Sequence, residues 1–175
     1  MSNEEEAIAK ASGEVVDFRV LREDWSNYRL ADGTILKARL VVTKVVRTDQ
    51  HDPTTGEPLY VFSRATALST ICGKELRGPP SSMPSPQEMQ ASITEVLDFE
   101  SADKAEKWNV YSLSDGSELR VKLEVTKVSK TSLFDDMGDP VYFVVSENIV
   151  RVRSPQNLSV KPPRTEGRVA PDIYK

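Results

Sequence analysis

The chain has 175 residues, 38% of them hydrophobic and 29% charged, with a formal net charge of -4 at pH 7. This is an ordinary balance for a soluble globular protein, and the net acidity leaves no chain-wide footprint for nucleic acid. No run approaches the roughly 20 apolar residues that cross a bilayer, and the single cysteine, Cys72, excludes an internal disulfide or a thiolate zinc site.

Residues 1–13 begin Met-Ser-Asn-Glu-Glu-Glu, acidic where a secretory signal carries lysine and then an apolar run. They lack periodicity and are expected to be disordered, in a protein expected to be cytoplasmic. Residues 14–18 (Glu-Val-Val-Asp-Phe) read as a first strand. Next, Trp25-Ser-Asn-Tyr28-Arg-Leu30-Ala-Asp32-Gly33 leads into the alternation Leu36, Ala38, Leu40. An Asp-Gly pair between alternating runs predicts a hairpin, with a type I′ turn that places both central residues at positive φ.

The strand after the turn reaches Val42-Thr43-Lys44-Val45, where two polar residues stand side by side. For Val45 to face inward, one residue must be absorbed by a β-bulge, which bends and twists the strand. A polar loop (49–56) and a Gly56-Glu57-Pro58 turn follow, then two short closing strands near 58–62 and 65–71. Residues 72–94 are rich in proline and serine and read as a tether with polyproline-like stretches.

The same order then returns. Glu95-Val96-Leu97-Asp98-Phe99 repeats 14–18, and Trp108-Asn-Val-Tyr111-Ser-Leu113-Ser-Asp115-Gly116 repeats 25–33 without a gap. Leu119, Leu123, Val125, Thr126, Lys127, Val128 and Thr131 stand at the places of Leu36, Leu40, Val42, Thr43, Lys44, Val45 and Thr48. Gly138-Asp139-Pro140-Val141-Tyr142 repeats the later turn after a one-residue deletion. The segment 101–107 could form one helical turn before Trp108. The reading is an all-β tandem duplication of a small β-barrel or sandwich-like unit of about 58 residues (14–71 and 95–152), with a bent long strand and a pseudo-twofold arrangement. Trp25 and Trp108, the largest apolar groups, are expected to seal a barrel end or to pack between the copies. The plan resembles Sm-like and SH3-like small barrels, but neither 43–48 nor 126–131 supplies an Asp-x-x-Asn signature, so no family is assigned. Residues 153–175 form a basic tail expected to be disordered.

Three constellations bear on function. Lys37, Arg39, Lys44 and Arg47, with Arg120, Lys122, Lys127 and Lys130, recur on the outward face of the long strands and could neutralise phosphates. Solvated strand faces and protected edges account for them more simply, because the stripe lacks exposed aromatics for base stacking. The loops after the long strands differ most between copies. One carries Asp49, His51 and Asp52, a set too sparse to define a metal site; the other carries Leu133, Phe134 and Met137, apolar residues that either fold back or meet a partner. No nucleophile-elbow or phosphate-cradling motif occurs. The expectation is a non-enzymatic protein-binding or assembly module without cofactor, contacting a protein through the divergent loops (His51, Leu133, Phe134, Met137). A nucleic-acid binder using the cationic strand face is the alternative.

Overall fold

The computed structural model describes Glu6 and residues 10–160. It contains β1 (Gly13–Val16), β2 (Phe18–Arg22), β3 (Ser26–Leu30), β4 (Ile35–His51), β5 (Pro58–Ile71), α1 (Pro86–Ala91), β6 (Ile93–Leu97), β7 (Phe99–Ser101), β8 (Asn109–Leu113), β9 (Glu118–Phe134) and β10 (Pro140–Arg153). Short 3-10 turns lie at Lys74–Leu76 and Gln156–Leu158.

All pairing is antiparallel, in two five-stranded sheets that remain open, so the small closed barrel is not formed. In one sheet β4 carries β5 along one side and β3 and β1 along the other; in the second, β9 carries β10 on one side and β8 and β6 on the other. The fifth strand of each sheet comes from the other half of the chain. β2 pairs with β8, and β7 pairs with β3. The exchange is reciprocal, and the inward faces of both sheets contribute to a single core that includes Leu30, Leu36, Leu40, Val45, Tyr111, Leu119, Val121 and Val128.

The hairpin forms in both halves, but its turn is not type I′. Among the described residues only glycines have positive φ, including Gly33 at 87° and Gly116 at 90°. The amide of Gly33 donates to the Leu30 carbonyl and that of Leu30 to the Thr34 carbonyl, and the second half repeats this with Gly116, Leu113 and Ser117. This is a type I turn closed by a left-handed glycine. Asp32 and Asp115 keep negative φ because their side chains accept from the amides of Thr34 and Ser117.

The bulge lies where the paired polar residues required it. The β4–β5 register skips Thr43, and the β9–β10 register skips Thr126. Val42 and Val45, like Val125 and Val128, are consequently all buried while Thr43, Lys44, Thr126 and Lys127 face solvent. The two short closing strands of each half are one strand of 14 residues. Residues 101–107 form no helical turn. The proline-rich segment is partly regular: Ser85 caps α1 in a capping box with Glu88, which ties down two otherwise orphan amides. The segment expected to be a disordered tail begins in regular structure, since Arg153 ends β10 and Gln156–Leu158 form a 3-10 turn; residues 161–175 lie outside the described residues, as do 1–5 and 7–9. No helix among the described residues is long and apolar enough to cross a membrane.

Candidate functional site at the seam

The seam between the halves is built from the residues that recur in sequence. Tyr142 of β10 donates to Asp32 Oδ2 at 2.6 Å and lies 2.9 Å from Thr34 Oγ1. Tyr60 of β5 donates to Asp115 Oδ2 at 2.7 Å and lies 2.8 Å from Ser117 Oγ. Arg47 reaches Asp115 at 3.1 Å, and Lys130 stands 4.0 Å from Asp32. Burial by itself would raise both carboxyl pKa values. The hydrogen bonds each accepts, and the nearby cation, outweigh it and hold both below the usual carboxylate value. Burial, and after it the carboxylates of Asp32 and Asp115, push the hydroxyls of Tyr142 and Tyr60 upward.

A second reciprocal pair uses the tyrosines of the hairpins. Tyr28 accepts from the Val125 amide and Tyr111 from the Val42 amide, so each ring meets the strand of the other half beside its bulge. Phe18 packs edge-on against Tyr111, and Phe99 against Tyr28. Tyr111 also donates to Glu23, and burial followed by this carboxylate pushes its pKa up to about 12. These groups bond to one another across the seam, which makes them the closure of the fold.

One cavity of about 430 Å³ opens along this seam. Leu36 of β4 and Leu68 and Thr70 of β5 form one wall, Tyr142, Phe143 and Val144 of β10 the other, and Met83 and Met89 of the proline-rich segment complete it. Met83 is 70% exposed and Leu68 48%. Its polar members are largely engaged: Tyr142 with Asp32, Asp139 with Arg77, and Asp135 with the amides of Met137 and Asp139. Flexible methionines beside aliphatic walls suit a varied apolar side chain.

The divergent loops are shorter than expected. Asp49 and His51 belong to β4, and Leu133 and Phe134 to β9. Asp49 accepts from Ser12, and Asp52 from the amides of Thr54 and Thr55. His51 is half-buried in register with Pro58. Phe134 folds back, its ring packed so closely on Gly78 that a Cβ there would overlap it; Leu133 is half-buried. Met137 is 66% exposed, in the loop whose Asp135 and Asp139 line the seam cavity.

The cationic strand face is mostly neutralised within the chain. Arg39 binds Glu23, Arg47 binds Glu14 and Asp115, Arg120 binds Glu118, Lys122 binds Glu106 and Glu124, and Lys130 stands near Asp32. Trp25 and Trp108 do not seal the core. Both are half-buried on the outer face, Trp25 under Lys37 and Arg39 and Trp108 under Lys122 and Arg151. Lys44 and Lys127, exposed at the bulges, have no carboxylate partner among the described residues.

No family model matches this chain, and neither a curated protein nor a solved structure does. Function therefore rests on the site. Leu68, Met83 and Met89 escaped sequence reasoning because nothing local distinguishes them. The cavity exists only where β5, β10 and the intervening segment converge, and the one available signal was a pair of methionines in an otherwise polar stretch.

Proposed function

We propose that the chain is a fused pair of β repeats in pseudo-twofold arrangement, acting as a non-enzymatic protein-binding module. A partner's apolar side chain enters the seam cavity, and Met137 and Met83 form part of the contact around it. The observation that carries this reading is the open, methionine-flanked cavity, whose carboxylates and tyrosine are already committed to hydrogen bonds or ion pairs within the protein. Such a site offers apolar contact, and its acids are engaged elsewhere, leaving the Ser69 and Thr70 hydroxyls without a free base beside them among the described residues. The nucleic-acid alternative is disfavoured because five of the eight strand cations stand against carboxylates of the same chain: Arg39, Arg47, Arg120, Lys122 and Lys130.

The test uses a displayed library of random peptides against the full chain. Peptides are expected to bind with an apolar anchor and to lose at least about tenfold in affinity with Met83→Asp or Leu68→Asp, equivalent to about 1.4 kcal/mol. Lys44→Glu with Lys127→Glu should leave that binding intact. Salt-dependent binding to mixed RNA, abolished by the two lysine reversals and unaffected by Met83→Asp, would replace this reading with the alternative.

A further inference from the structure

β5 and β10 occupy corresponding places, each the free long edge of its sheet. Their sequences treat that exposure differently. Residues 146–153 of β10 carry Glu147, Arg151 and Arg153, charges that obstruct pairing with another strand. Residues 65–71 of β5, Ala-Thr-Ala-Leu-Ser-Thr-Ile, carry no charge and no proline. Residues 65–69 are exposed on both faces, and Ile71 is 60% exposed. Among the described residues the backbone of 65–71 is hydrogen-bonded to β4 alone. The bulge at Thr43 lies beyond this stretch, so from Ala65 to Ile71 the edge runs in unbroken register. Its other side presents a row of amides and carbonyls without the usual obstructions.

We propose that this edge pairs antiparallel with the same edge of a second copy of the chain, centred on Ala67. The stretch is self-complementary in that register. Ala67 meets Ala67, Thr66 meets Leu68, Ala65 meets Ser69 and Arg64 meets Thr70, so no charge faces a like charge. An isologous contact of this kind closes at two copies, whereas pairing with a different edge would propagate. The two sheets join into one continuous sheet across the dimer. The small outer side chains Ala65, Ala67 and Ser69 let the partner strand approach without displacing Arg39 and Lys37, their neighbours on β4. Seven-residue edges bury little against the roughly 1,200–2,000 Å² of stable complexes, so the dimer is weak and reversible. The edge shares Leu68, Ser69 and Thr70 with the seam cavity, so residues outside the overlap separate the two readings: Met83→Asp should leave the dimer unchanged, and the Ala67 variants below should leave cavity binding unchanged at concentrations where the chain is monomeric.

Sedimentation velocity of the full chain from about 5 to about 500 µM tests it. The apparent mass should rise from 19.5 kDa towards twice that value. Ala67→Glu and Ala67→Lys each set like charges against one another on the twofold and should stay monomeric, while an equimolar mixture of the two recovers the dimer. Val150→Lys, on the corresponding edge of β10, should dimerise like the wild type. Hydrogen exchange on the unmodified protein reads the same contact without a variant, since amides within 65–71 should gain protection as concentration rises. A chain that remains at 19.5 kDa throughout overturns the proposal. So does a dimer that survives both Ala67 variants, a mixture that fails to recover it, or protection that appears on β10 instead.

Discussion

Asp32 and Asp115 do two things at once. Each fixes its own hairpin turn by accepting an amide, and each receives a tyrosine from the opposite half. Because both carboxyls are held below their ordinary pKa in the fold, they contribute stability that is present above the unfolded carboxylate value of about 3.9 and lost as the pH falls through the lower folded value. Asp115→Asn should therefore lower the melting temperature at neutral pH, by about 1–3 kcal/mol of stability, and flatten the acid limb of a plot of melting temperature against pH; an unchanged acid limb would assign that limb to other groups. Ser129 offers the opposite case. Its hydroxyl is fully buried with no hydrogen-bond partner among the described residues, and Val46 fills the corresponding place in the first half. Ser129→Val should raise stability by about 1 kcal/mol, read by urea denaturation.

At the scale of elements, the long strands depend on their bulges. With Thr43 absorbed by the bulge, the strand runs Val42 in, Lys44 out, Val45 in, so deleting Thr43 alone would keep Val45 buried and remove only the local bend. Deleting Thr43 and Lys44 together would turn Val45, which has no solvent exposure, and the residues beyond it to the other face; the cost should exceed about 3 kcal/mol, from a buried valine and from Arg47 losing Asp115, and deletion of Thr126 with Lys127 should behave alike. Thr43→Ala, which keeps the residue count, should change stability by less than about 0.5 kcal/mol in the same denaturation measurement. The bulge was legible because two adjacent polar residues break a period of two. The turn type was not: Asp-Gly supports both a type I′ turn and a type I turn closed by glycine, and the Asp side chain bonding two residues ahead selects the second. The tryptophans misled for a related reason. Size alone favours burial, but a flat ring also serves as a platform for Lys37, Arg39, Lys122 and Arg151 on an outer strand face.

In the whole molecule, β2 and β7 each complete the opposite sheet, and one core draws on both halves. Neither half retains its five-stranded sheet alone. Unfolding should accordingly be a single transition, with Leu30→Ala and Leu113→Ala, one in each half, shifting the same melting curve instead of separating two. Cleavage within 79–84, between the 3-10 turn at Lys74–Leu76 and α1, should leave the fragments associated on a sizing column under native conditions and separate in denaturant. Dissociation without denaturant would show that the exchanged strands do not hold the halves together.

β2, β7 and the continuity of β5 and β10 were not legible in the sequence, which by itself determined the all-β class, the hairpins and the bulges. These follow from side-chain period, glycine position and identity between segments, all of which are local to the chain. Which strand pairs with which half, the seam of Asp, Tyr and cation, and the cavity were decided only in the tertiary structure. β2 and β7 carry the same pattern whether they pair within their own half or across it, and only the closure of a shared core distinguishes the two arrangements.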